Sequence, residues 1–407
     1  MQQEIIPHLF RTEHRKITAV LCKLFGIEHM EVAQDIASDT FLLAMETWSY
    51  KGIPENPVAW LYTVAKNKAK NHLHRNQIFF DHVAPQLQAF ANAEGIEIDL
   101  SDKNIQDSQL QMLFAICHPS IPAEAQVGLA LRILCGFGID EIASAFLTNK
   151  ETINKRLFRA KEKLQHEQVK IVFPPEEKIH SRLETVLTTL YLLFNEGYYS
   201  ESKDAIVRED LCQEAMRLTL LLIEHDSTNQ PYVRAMYALM CFHASRFPAR
   251  KNKNGDMVLY QDQDEALWNA ELINKGMYFL NLASAGDKIS RYHLEAGIAY
   301  WHTIKADSQE KWSAILSLYN QLLQIEYSPV AALNRTYALA KTNGKEEAIA
   351  EAEKLKLNDN HFYFTLLGEL YKGIDNDKAR QHFQKAFLLA RTQTDKQTLQ
   401  KQIDALG

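Results

Sequence analysis

Apolar side chains recur at i, i+3, i+4 and i+7 through most of this 407-residue chain, and few breakers interrupt them: fifteen glycines and eleven prolines in all. Average usage would put those two types together at about 12% of a chain. That deficit argues against turn-dense β architectures, collagen-like repeats and flexible linkers, and the helical period predicts an all-α fold. With 46% apolar residues and a formal net charge of -6 the composition is that of a globular chain, long enough for two or three domains. No apolar run reaches the roughly 20 residues that span a bilayer, and Met1-Gln2-Gln3-Glu4 lacks the basic start and apolar core of a signal peptide. A cytoplasmic protein without membrane contact is expected. Five cysteines, Cys22, Cys117, Cys135, Cys212 and Cys241, stand far apart with no CxxC pair, which fits buried thiols in a reducing compartment and requires neither disulfide nor structural zinc.

Along the chain, residues 1–76 read as a compact helical domain, with inward positions at Val20, Leu21, Leu24 and Phe25, at Ile36, Thr40, Phe41 and Leu43, and at Trp60, Leu61, Val64 and Ala65. Gly52-Ile53-Pro54-Glu55-Asn56-Pro57 breaks it; Asn56 is placed to cap, and Pro57 to begin, a helix running to about Arg75. Residues 77–108 lose the period and carry Glu94, Glu97, Asp99, Asp102 and Asp107 against Lys103, which predicts an acidic linker. In 109–168 the period returns in short helices. Ile139, Ile142, Ala143 and Phe146 share one face, Leu147-Thr148-Asn149 makes a joint, and Asn149 caps a helix with Ile153, Leu157, Ala160 and Leu164 inside and Thr152, Lys155, Arg156, Arg159 and Lys163 outside. This is a helix-turn-helix candidate. Residues 169–180, holding Pro174-Pro175, read as a second linker, and 181–407 as a helical domain. In its last part, Leu333-Asn334, Tyr337-Ala338 and Ala348, then Leu367-Gly368, Tyr371, Ala379, Phe383 and Ala386, follow the small and aromatic spacing of tetratricopeptide helix pairs.

The basic outer face of 150–164 suits phosphate contacts and base edges in a major groove, or is a solvated face. Along 58–75, Lys66, Asn67, Lys68, Lys70, Asn71, His72, His74 and Arg75 follow Trp60 and Tyr62; interleaved rings and cations suit unstacked bases, while the rings equally suit a core. Gly136-Phe137-Gly138 is no dinucleotide fingerprint, and neither GxxxxGK[ST] nor HExxH occurs. One cluster tests an enzyme reading: Asn195-Glu196-Gly197-Tyr198-Tyr199 with Arg246, Arg250, Lys251, Asp256, Asp262 and Asp264. Such residues can hold a metal or an anionic ligand, or merely cap helices.

Taken together, Ala33-Gln34-Asp35-Ile36-Ala37-Ser38-Asp39-Thr40-Phe41-Leu42, Pro57-Val58-Ala59-Trp60-Leu61-Tyr62 and the helix that follows resemble region 2 of bacterial sigma-70-type factors of the extracytoplasmic-function (ECF) group. Gly138-Ile139-Asp140-Glu141-Ile142-Ala143 and Thr152-Ile153-Asn154-Lys155-Arg156-Leu157-Phe158-Arg159 resemble region 4. The second half, with Tyr191-Leu192-Leu193-Phe194-Asn195-Glu196-Gly197-Tyr198 and Asp262-Gln263-Asp264, resembles the subgroup with a carboxy-terminal tetratricopeptide-like extension. The resemblance implies that Asp35, Asp39, Thr40 and Phe41 grip core RNA polymerase. It implies that Trp60, Asn67, Lys70, Asn71 and Arg75 open and read the -10 element of promoter DNA, and that Thr152, Lys155, Arg156 and Arg159 read the -35 element. The acidic segment would thread into the polymerase cleft. Ser38 departs from a usual glutamine and Leu147 from a usual turn glycine. The resulting expectation is a non-enzymatic, cofactor-free transcription initiation factor whose carboxy-terminal half takes a protein or peptide ligand. The rivals are a stand-alone helix-turn-helix regulator with a ligand-sensing half, and an enzyme fused to a DNA-binding module.

Overall fold

A computed structural model of the chain describes residues 2–75, 97–146, 148–198, 208–250, 258, 260–286, 288–390 and 392–406. Among the described residues there are helices and no strand, as the period predicted. They divide into two compact units, Met1–Leu193 and Phe194–Gly407.

The first unit holds α1 (Gln2–Phe25), α2 (Met30–Lys51), α3 (Pro57–Arg75), α4 (Asp102–Ile116), α5 (Ala123–Leu129), α6 (Ile139–Ala145), α7 (Lys150–His166) and most of α8 (Glu176–Tyr198). The α2 helix stops at Gly52, whose φ of 81° is one an L side chain rarely adopts. Asn56 Oδ1 then accepts the Ala59 N–H at 3.0 Å and starts α3. Leu61, Ala65, Ala69 and Leu73, every fourth residue of α3, are buried; the two alanines leave no bulk between the helix axes. Between α5 and α6 the chain widens into a π-turn over Ala130–Leu134 and ends it at Gly136, φ 76°.

Three expectations change. The acidic segment is not a linker throughout, because α4 begins at Asp102. Ser101 caps it, Asp99 accepts the Ser101 N–H at 2.8 Å, and Ile98, Leu100 and Ile105 are buried; the acidic residues masked an amphipathic helix whose polar side they occupy. Residues 76–96 lie outside the described residues. Leu43, expected inside, is exposed, as are Leu42 and Met45. The stretch 169–180 also belongs to the packed unit in part: Ile171 is buried, and Phe173 meets Phe114 edge-on at 5.2 Å. There α8 donates from Thr189 Oγ1 to buried Gln126 Oε1 at 2.6 Å.

The second unit continues with α9 (Glu209–Glu224), α10 (Pro231–Ala244), α11 (Ala270–Ala283), α12 (Arg291–Trp301), α13 (Gln309–Ile325), α14 (Pro329–Asn343), α15 (Lys345–Leu355), α16 (His361–Tyr371), α17 (Asn376–Leu389) and α18 (Gln393–Asp404). Successive helices pack on one another, α16 on α17 most extensively in the last part. The small and aromatic positions picked out in the sequence make these crossings. Ala338, Ala348, Ala379, Phe383 and Ala386 are fully buried, and a Cβ on Gly368 would come within 2.6 Å of the Phe383 ring. Gly276 meets Phe242 in the same way, also at 2.6 Å.

Candidate nucleic-acid interface

Three surfaces of the first unit carry the residues singled out in the sequence. On α2, Asp35 and Asp39 are exposed one turn apart, and the helix continues into an apolar cleft of ≈ 690 Å³ walled by Ile6, Phe10, Phe41, Leu42, Met45 and Trp48. Phe10 and Phe41 meet edge-on at 5.1 Å. Leu42 and Met45 remain 57% and 52% exposed, which leaves apolar area for a partner to cover. Behind the cleft, the His14 ring lies 3.2 Å from Ser38 Oγ. Burial, then the charge of Arg132, pushes its pKa down to about 4, so it is neutral at pH 7. Ser38, the departure from the family pattern, thus holds this buried ring. Thr40 is fully buried, inward as the helical period predicts, and its hydroxyl donates to the Ile36 carbonyl at 2.7 Å, so it shapes α2 from within. Phe41 is 2% exposed and acts as cleft wall. Phe10 and Met45 escaped sequence reading, since the cleft forms only when α1 lies beside α2; the visible signal was the run Phe41 to Met45, too apolar for one helix face.

The second surface is the outer face of α3. Asn67 and Asn71 are exposed, Lys70 and Trp60 are half-buried, and Trp60 meets Trp48 edge-on at 5.3 Å. Arg75 ends α3, and its side chain is not among those described. Tyr62 is not free to stack on a base. Its hydroxyl donates to buried Glu13 at 2.6 Å, and burial with that hydrogen bond holds its pKa far above the phenolic range. Among the described side chains singled out in the sequence, Trp60 therefore remains as the ring, beside the amides of Asn67 and Asn71 and the ammonium of Lys70.

The third surface is the helix pair α6 and α7. Glu141 reaches back from the first turn of α6 to accept the Gly138 N–H at 2.6 Å, and Asn149 Oδ1 caps α7 by accepting the Thr152 N–H at 2.8 Å. Ile142, Ile153, Leu157, Ala160 and Leu164 are buried. Thr152, Lys155 and Arg159 are exposed; Arg156 is half-buried, 5.5 Å from the Phe146 ring centroid. Leu147 lies outside the described residues. Exposed Phe158 sits beside these cations, an apolar group suited to a thymine methyl. The exposed pair of Lys155 with Glu151, 2.7 Å, is weak in water and easily exchanged for a phosphate.

The cluster weighed as an active site is brought together only in part. Arg246 and Arg250 converge on Tyr198, but Asp262 and Asp264 are exposed and Asp264 caps a turn at Ala266; Tyr199, Lys251 and Asp256 lie outside the described residues. Among the described residues no group of three His, Cys, Asp or Glu is placed to hold a metal ion. All five cysteines are buried thiols, and burial pushes Cys22, Cys117 and Cys241 up to about 12.

Comparison with known proteins adds the following. Residues 9–78 match the family described as Sigma-70 region 2, and residues 182–284 match a family of unknown function (DUF6596). An uncharacterized protein of Rhizobium meliloti is 31% identical over 387 residues, 93% of this chain and 91% of that protein. The RNA polymerase sigma-H factor of Pseudomonas aeruginosa is 29% identical over 144 residues, 33% of this chain and 72% of its own. The ECF RNA polymerase sigma-E factor of Escherichia coli is 26% identical over 137 residues, 32% of this chain and 71% of its own. No solved structure matches.

Proposed function

We propose that this chain is a sigma-70-type sigma factor of transcription initiation, a reading that its region 2 match and its sigma-factor relatives support, with the following division of labour. The acid-flanked apolar cleft of α1 and α2 docks on core RNA polymerase. The outer face of α7 reads the -35 element as duplex, with Thr152, Lys155, Arg156 and Arg159 toward the major groove. The outer face of α3, with Trp60, Asn67, Lys70, Asn71 and Arg75, takes the -10 element, where opened strands offer bases to a ring and phosphates to cations. Polymerase holds the two DNA-reading faces in the separation a promoter requires. Such a protein acts in the cytoplasm and is not an enzyme.

The observation that carries this reading is the cleft. A face that leaves Leu42 and Met45 more than half exposed beside Asp35 and Asp39 suits a partner with both apolar and basic groups. The second unit is, on this reading, a tetratricopeptide-like module that modulates initiation through a peptide or protein ligand. The buried small and aromatic crossings of α14 to α17 support it, because stacked helix pairs present a continuous surface to extended ligands.

The test is binding of the full chain to core polymerase, followed by transcription from upstream DNA. Polymerase-dependent binding and start sites that need the chain support the proposal. Tight binding to upstream DNA without polymerase, and no polymerase-dependent start, favours the stand-alone regulator instead.

A further inference from the structure

Around Tyr198 and Tyr260 in the second unit, Arg246, Arg250 and Lys311 converge, and among the described residues none of the three is ion-paired with a carboxylate. Arg246, 9% exposed just past the end of α10, donates from its guanidinium to Tyr198 Oη at 3.1 Å and lies 5.4 Å from the Tyr260 ring centroid; its Nε has no partner. Arg250, half-buried, donates to the Tyr198 carbonyl at 3.3 Å and lies 4.0 Å over that ring. Lys311, in the first turn of α13 and 1% exposed, donates to Tyr260 Oη at 3.0 Å and to the Ile304 carbonyl at 2.5 Å.

Among the described residues, the acceptors of these cations are carbonyls, two phenol oxygens and π-faces. Asp307, the carboxylate that acts on Lys311, is taken up by Lys341 at 2.9 Å and by the Trp312 indole N–H. Asp262 and Asp264, on the same turn as Tyr260, are exposed. The two nearby imidazoles add no further positive charge. Burial, then the neighbouring guanidinium of Arg246, holds His302 down at about 3 and His243 well below its ordinary value. Buried guanidinium and ammonium groups without a paired anion are strongly unfavourable. Gln263, 4% exposed in the turn that follows Tyr260, also has an unpartnered Oε1. Two buried groups of these elements are thus orphaned, one of each kind: a charged N–H donor on Arg246 and an amide oxygen acceptor on Gln263.

We propose that this cluster binds a phosphoryl group, as free phosphate or as the phosphate of a small metabolite, with Arg246, Arg250 and Lys311 supplying charge and Gln263 accepting from the phosphoryl hydroxyl. A hydrogen phosphate carries several acceptor oxygens and an O–H donor, which meets both orphans, and a phosphate monoester does the same as its monoanion; a carboxylate has no proton to give Gln263 at neutral pH. A ligand here ties α10, the Tyr260 turn and α13 together, so occupancy stabilises the second unit whatever that unit does for initiation.

The experiment is thermal unfolding of the full chain in phosphate-free buffer, titrated with inorganic phosphate at ionic strength held constant with sodium chloride, and in parallel with acetate. The midpoint is expected to rise with phosphate and to saturate, with acetate giving no comparable rise. In Arg246→Gln, checked for a cooperative transition, the half-saturating concentration is expected to increase at least tenfold. Should that variant fail to fold, Arg250→Gln, at a less buried position, carries the same expectation. The proposal is overturned if the wild-type midpoint follows ionic strength alone, if acetate stabilises as well as phosphate, or if the folded variant responds as the wild type does.

Discussion

Truncating the two exposed apolar residues of the α2 cleft separates binding from stability. Fully burying a Leu or Met side chain is worth about 2.5 kcal/mol. Leu42 and Met45 are 57% and 52% exposed, so a partner that covers what is open gains about 1.4 and 1.3 kcal/mol from them. Leu42→Ala and Met45→Ala should each weaken binding to core polymerase about tenfold, and the double variant about 100-fold if the two add. The same exposure keeps the cost to folding small, within about 0.5 kcal/mol for each change. The assay is competition for core polymerase against a fluorescent sigma factor, with urea unfolding of each variant alongside. Leu388→Ala, 80% exposed on α17, serves as a control that should change neither. A double variant that folds like the wild type and binds core within twofold of it would refute the assignment of this cleft.

Other expectations rest on other parts of the molecule. Lys155→Ala and Arg159→Ala should each cost about 1–3 kcal/mol in -35 duplex affinity if the contact is to a base, or lower the salt slope by about one if it is to a phosphate; filter binding of the polymerase complex at several salt concentrations distinguishes these. His14 has a folded pKa of about 4 against 6.5, so the unfolded chain takes up its proton first and stability falls as pH drops from about 6.5 toward 4. Between pH 7.5 and 4.5 this removes about 2.5 kcal/mol. Urea unfolding at the two pH values should show His14→Gln losing that much less than the wild type. Gly368→Ala drives a methyl against the Phe383 ring and should destabilise by about 1–3 kcal/mol, an effect that Phe383→Leu relieves in the double variant when thermal midpoints are compared.

What could be read in the sequence was what short-range physics decides. Asn149 and Asn56 cap helices because a side-chain oxygen three residues ahead of a free N–H does so wherever the helix lies, and the inward face of α7 follows from its period alone. Gly368 and Phe383 were legible as a pattern for the same reason. The choice between stacking and core for Tyr62 could not be made from sequence, because a helix face is fixed by what packs on it: Tyr62 is taken by Glu13 from α1, distant in sequence. The cation cluster requires three elements to meet, and in the sequence only Arg246 and Arg250 stand close enough to be grouped. Lys311, in a sequence that reads as an ordinary helix start, gave no local sign of being buried.

The most direct test of the account is transcription in vitro with purified core RNA polymerase and a library of upstream DNA, comparing the full chain with the Leu42→Ala/Met45→Ala variant. The account predicts start sites that appear only when chain and core are both present, and that fade in the variant unless its concentration is raised. Start sites equally abundant with the variant at limiting concentration, or none with either protein while DNA binding persists, would contradict it.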